Sequence, residues 1–211
     1  MRTSRLEAFS DGVLAIIITI MVLELHEPKQ PNLPALWDVA RTGILSYLLS
    51  FVYVGIYWTN HHHMFQLTER VTGGVLWANL GLLFCLSLFP FTTQWMDGTD
   101  FERSTPVVVY GVNLLAAALA YYILQSVIIR SQGQDSALRK AIGRDIKGKL
   151  SPVGYIAGCV AAMVGGRPGI WIAVACYVAM AAIWFIPDRR IETVIIPGET
   201  PDPNSTDNSN S

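Results

Sequence analysis

An all-α, polytopic membrane protein with six transmembrane helices is the fold class the sequence predicts, on three observations. Of 211 residues, 52% are hydrophobic and only 15% charged, where soluble domains carry about a quarter charged. The charges sit in short clusters, and the apolar runs between them are mostly about 18–25 residues long, enough to cross a hydrocarbon core about 30 Å thick. Lysines and arginines gather in alternate connections, the bias that sets orientation in a bilayer.

The first span, 8–25, follows the polar turn from Arg5 to Asp11 and stops at a loop whose Pro28 and Pro31 forbid helix continuation. Arg2 and Arg5 would suit a signal peptide, but the run is long and no small-residue cleavage site precedes His26, so it reads as a retained span. Span two, 36–57, ends in Trp58-Thr59-Asn60 and a run of three histidines. Spans three and four are 74–95 and 106–129. Span five, 150–164, is the weakest. Gly165, Gly166 and Pro168 make a tight turn into span six, 169–186. Residues 1–190 thus form one transmembrane domain. The tail, 191–211, is polar and Pro-containing after Pro197, without apolar periodicity, and is expected to be disordered and cytoplasmic.

With the N-terminus in the cytoplasm, eleven basic residues fall inside: Arg2, Arg5, Arg70, Arg130, Arg139, Lys140, Arg144, Lys147, Lys149, Arg189 and Arg190. Only Lys29, Arg41, Arg103 and Arg167 fall outside. Both termini are therefore expected in the cytoplasm of a multi-pass plasma (inner) membrane protein. The basic inner loop 131–149 reads as an amphipathic extension at the anionic leaflet, with lipid regulation or partner docking as alternatives. No hydrophilic segment is long enough for a soluble catalytic domain. The expectation is a non-enzyme without cofactor or nucleic-acid partner.

The candidate chemistry is sparse. His61, His62 and His63 point about 100° apart on a helix and cannot all ligate one metal. They lack the i, i+4 spacing and thiolate or carboxylate partner that zinc prefers, so no metal site is expected. Hydrogen bonds from one or two imidazoles to another helix are the reading preferred. Asp11 lies just inside the inner boundary, where a carboxylate requires a partner. Arg5 is the expected one, with Ser10 as a local cap. The three cysteines, Cys85, Cys159 and Cys176, fall within apolar spans and suggest neither a disulfide nor a metal. Gly154 and Gly158 form a GxxxG pattern that permits close helix approach. Ile16, Ile20 and Leu23 share one face of span one, flanked by Thr19, and from periodicity alone that face is ordinary core. No span carries an acid, base or histidine at mid-depth, which argues against an ion-coupled carrier. What remains is a pore on a symmetry axis between subunits, a binding scaffold, or an assembly factor.

Arg5-x-x-x-Phe9-Ser10-Asp11 opening the first helix, followed by an Ile-rich stretch, resembles the transmembrane protein 175 potassium channels. Tyr57-Trp58-Thr59-Asn60-His61-His62, closing the second helix, strengthens the match, which covers about residues 2–190. The resemblance implies a homotetramer of single six-helix repeats that conducts potassium without a TVGYG filter. It implies that the first helix of each subunit lines the pore, with Ile16 as the narrowest ring, Ile20 and Leu23 toward the outside, and Thr19 as a nearby hydroxyl. Arg5, Ser10, Asp11, Trp58, Asn60, His61 and His62 correspond to a cytoplasmic polar network. The expected function is a potassium-permeable, weakly selective channel with membrane lipids around it. A proton- or ion-coupled transporter and a non-conducting scaffold are the alternatives.

Overall fold

In a computed structural model, residues 3–99, 101–133, 136, 138–139 and 146–185 are described. The order along the chain is α1 (Thr3–Leu23), α2 (Leu33–Gln66), α3 (Gly73–Ser87), α4 (Phe89–Asp97), α5 (Ser104–Gln132), α6 (Ile146–Val164) and α7 (Gly166–Phe185). Among the described residues there is no strand.

The helices start and stop where local chemistry dictates. Asn32 caps α2, its Oδ1 accepting from the Ala35 N–H at 2.9 Å, with Pro34 in the first turn where no N–H is missed. Thr72 caps α3 in the same way through Val75. The expected single span over 74–95 is broken at Leu88, because Pro90 cannot donate to the carbonyl four residues back. Gly133, at φ +94°, ends α5, and Gly166, at φ +54°, turns α6 into α7.

α2 differs most from expectation. Its helix runs on to Gln66, nine residues past the expected end of span two, so the histidine run is helical. It also bends by 42° between Leu33–Arg41 and Gly43–Gln66. Among the described residues, four helical segments are long and apolar enough to cross a bilayer: α1, α3 with α4, α5 and α7; the bent α2 makes a fifth. The expected fifth span, 150–164, is not among them. Its helix opens with Lys147, Lys149, Ser151 and Pro152, and the 15 residues from Leu150 on reach only about 22 Å. The expected tail 191–211 lies outside the described residues, as do Lys140 and Arg144 of the basic loop.

α6 and α7 pack as a hairpin against α5, which also contacts α3 and α4, while α2 lies against α4 and α7. Gly154 and Gly158 face α7: a Cβ on either would meet Met180 Sδ or Tyr177 Cε1 at 2.6 Å. The core is tied together by hydroxyls. Ser50 Oγ lies 2.7 Å from Thr93 Oγ1 and 3.0 Å from the Tyr110 hydroxyl. The Tyr53 hydroxyl donates to the Tyr177 carbonyl at 2.6 Å. Lipid tails are as apolar as leucine, so burial alone drives little association here, and close packing and interhelical hydrogen bonds carry it.

α1 stands at the edge of this assembly, against α2, α3 and α4. Leu6, Ser10, Leu14, Ile17 and Met21 form its buried face, at helical spacing.

Candidate functional site

The candidate site has two parts, both set by the helical period of α1. On its outward face Ile16 is 58% exposed, Ile20 41% and Leu23 80%, with Phe9 and Thr19 also exposed. The expectation from periodicity alone, that this face is core, is not met within one subunit. The Thr19 hydroxyl does not project freely; it donates to the Ile16 carbonyl at 2.9 Å.

The inward face is held at its N-terminal end by a polar cluster. Ser10 Oγ, fully buried in mid-helix, donates to the Leu6 carbonyl at 2.9 Å and accepts from Asn79 Nδ2 at 3.0 Å. The other end of that amide, Asn79 Oδ1, lies 2.8 Å from His61 Nε2. Since Asn79 donates to Ser10 and Ser10 to Leu6, Oδ1 accepts and His61 carries its proton on Nε2. One chain of bonds thus joins α1, α3 and α2. The His61 ring also lies 4.4 Å from that of Phe65, and its Nδ1 is buried without a partner among the described residues.

A second set of contacts ties α1 to α2 closer to solvent. Trp58 Nε1 donates to Asp11 Oδ1 at 3.0 Å, and His62 Nδ1 pairs with Glu7 Oε1 at 2.6 Å. His62 Nε2 lies 2.8 Å from the Gln66 amide nitrogen, and the His62 ring stacks on Trp58. The adjacent histidines therefore serve different helices, as their 100° separation requires.

Two local expectations are corrected. Ser10 does not cap α1, because the helix already begins at Thr3. Asp11 does not pair with Arg5, which is exposed and makes no ion pair among the described residues. Six residues apart on a helix lie about 120° around and 9 Å along the axis, out of reach. Asn60 also stands apart: its amide donates to the Ile56 carbonyl of its own helix, and its carbonyl accepts from the Tyr121 hydroxyl. Asn79, Glu7 and Gln66 are members that sequence reasoning missed. Asn79 had a legible signal, being the lone amide in the apolar run Val75 to Leu86, where an unpartnered polar group is costly.

Bundle, apolar lengths and polar base together define a multi-pass α-helical membrane protein whose first helix is anchored at one end and bare along one face. Comparison with known proteins places it more closely. The family model for the endosomal/lysosomal potassium channel TMEM175 matches residues 5–90. A potassium channel from Chryseobacterium sp. (strain P1-3) is 49% identical over 192 residues, covering 91% of this chain and 97% of its own. One from Streptomyces collinus is 33% identical over 58% of the chain and 62% of its own. The crystal structure of a lysosomal potassium-selective channel TMEM175 homolog from Chamaesiphon minutus superposes with a TM-score of 0.72 at 25% identity, covering 89% of this chain and 97% of that one. The chain belongs to the TMEM175 family, in its prokaryotic form.

Proposed function

We propose that this protein is a potassium-permeable, weakly selective channel, a homotetramer in the cell membrane with both termini in the cytoplasm, in which α6 serves as a short sixth span beside the five longer ones. Four copies of α1 surround the axis. Ile16 forms the constriction, Ile20 and Leu23 line the path toward the outside, and Thr19 is the nearest hydroxyl. Residues 1–190 make up the channel unit. The reading is that of a channel rather than an enzyme or an ion-coupled carrier. Acids, bases and histidines of α1 and α2 lie toward the helix ends, Arg5, Glu7 and Asp11 with His61, His62 and His63 at one and Asp38 and Arg41 at the other, and not at mid-depth.

One observation carries this reading. α1 exposes a continuous aliphatic face in the single subunit while buried polar bonds fix its opposite face and base. A helix that only met lipid would have no need of so specific an anchor. A pore helix must keep its angle to the axis, since a small tilt opens or closes a ring of branched side chains. A ring of isoleucines strips no water from a cation favourably, so it gates by dewetting and discriminates weakly among cations.

Potassium flux from liposomes containing purified protein tests the reading. Wild-type protein should release potassium faster than diffusion through empty liposomes, and Ile16→Asn should raise the leak because an amide ring keeps the constriction wet. Unchanged flux in Ile16→Asn would remove Ile16 from the constriction. No flux in either would favour a non-conducting scaffold.

A further inference from the structure

We infer that each subunit holds a binding site for a small neutral amphiphile, a molecule with a hydroxyl- or amide-type head and an apolar tail, in a cavity between α2, α5, α6 and α7. The cavity is separate from α1, and the site stands whether or not α1 lines a pore. It contains about 500 Å³ of empty space counted out to its open side, and its deeper part has room for about three water molecules. Small-molecule sites have this character: apolar and aromatic walls with a few convergent polar groups.

Two of those polar groups point to a ligand. Gln125 and Tyr57 line the cavity and are each only 8% exposed. Among the described residues neither the Gln125 amide nor the Tyr57 hydroxyl makes a hydrogen bond. Neither group is enclosed in the way of His61 Nδ1, Asn113 Oδ1 and Gln132 Nε2; both open onto the cavity, so its occupant is what pairs them. The neighbouring walls are satisfied and fixed: Trp184 Nε1 donates to Ser151 Oγ at 2.6 Å, and the Tyr121 hydroxyl donates to the Asn60 carbonyl. The two free groups are therefore not the residue of a loosely built region.

The chemistry of the walls selects the class. Among the described residues no lining side chain carries a charge of either sign, so an ionic head would find no partner among them and be buried at high cost. An amide and a phenol can donate to and accept from one uncharged head. Tyr122, 58% exposed, stands at the rim, which lets an apolar tail leave toward the bilayer while the head stays inside. Gly148, next to Lys147, and Gln125, five residues before Arg130, line the cavity, which sets it toward the basic end of α5 and α6.

The test uses full-length protein in liposomes and an octanol that carries a diazirine at its third carbon. After irradiation, adducts located by mass spectrometry should fall on cavity residues, saturate with concentration, and be competed by excess octanol but not by octanoate or octylammonium. Gln125→Leu keeps the shape but removes the head's partner, and should raise the half-saturating concentration about five- to tenfold. Ala118→Phe fills the cavity from α5 and should abolish labelling there. Adducts spread without saturation over outward helix faces, an unmoved half-saturation in Gln125→Leu, or equal competition by the charged octyl compounds would each overturn the inference.

Discussion

Asn79 bonds two helices with one amide, accepting from His61 on α2 and donating to Ser10 on α1. Its loss leaves the His61 N–H without an acceptor, while Ser10 keeps its bond to the Leu6 carbonyl and loses only the donor it accepts from. In Asn79→Leu, the His61 N–H and the Ser10 hydroxyl each lose a partner in a site with no exposure, at about 1–3 kcal/mol for a buried unsatisfied group. We expect about 2 kcal/mol of destabilisation, seen as a lowered unfolding midpoint by tryptophan fluorescence in detergent. Gln66→Leu, at the exposed end of the same cluster, should change little. Asp11→Ala removes the acceptor of Trp58 and frees the base of α1 without touching its outward face. It should lower the yield of the proposed tetramer by size exclusion while leaving the potassium-to-sodium flux ratio of what assembles unchanged; a changed ratio would place Asp11 in the ion path. Much of this residue-scale pattern was readable in the sequence, since polar side chains inside greasy helices must find one another. The pairing was not. Whether Asp11 meets Arg5 or Trp58 depends on how α1 and α2 are rotated about their axes, and no short-range pattern encodes that rotation.

Gly154 and Gly158 show how finely the α6–α7 contact is set at the scale of elements. Alanine gains roughly 1 kcal/mol of helix propensity over glycine at either position, so the sign of each substitution depends on what the new methyl meets. At Gly154 it meets Cγ, Sδ and Cε of Met180, an unbranched side chain that can change rotamer. At Gly158 it meets the Tyr177 ring, pinned because its hydroxyl donates to the Val107 carbonyl at 3.3 Å and its own carbonyl accepts from Tyr53. Gly154→Ala should be near neutral and Gly158→Ala destabilising by about 1–2 kcal/mol, measured by the same unfolding assay. Equal effects would mean that the two glycines do not face α7 as described. The helices themselves were legible from hydropathy, and so was the GxxxG seam. Their true ends were less so. Apolarity fades at Tyr57, yet α2 continues to Gln66, because backbone bonding needs a proline, a glycine or a capping side chain to stop it and none intervenes. The break at Leu88 has the opposite cause. The run stays apolar there, and Pro90 interrupts the ladder all the same.

For the molecule as a whole, the open question is which bare face meets a second copy. α1 presents Ile16, Ile20 and Leu23, while α6 presents Val153, Ile156, Val160 and Met163, about half to two-thirds exposed. Both stripes repeat every three or four residues, and hydropathy cannot distinguish a helix facing lipid from one facing its own image. The difference lies in the anchoring. α1 is the peripheral helix whose base is locked by buried polar bonds to two neighbours, as a wall around an axis needs, whereas the outward face of α6 needs only to be apolar. Cyclic symmetry then makes a sharp demand: a residue near the axis lies near its own copies in every subunit. In a background with Cys85, Cys159 and Cys176 replaced by alanine, Ile20→Cys treated with a short bismaleimide should yield cross-linked dimers on a denaturing gel. Val160→Cys, at similar exposure, should remain monomeric at the same protein-to-lipid ratio. If Val160→Cys cross-links and Ile20→Cys does not, the axis lies against α6, and the assignment of Ile16 to the constriction falls with it.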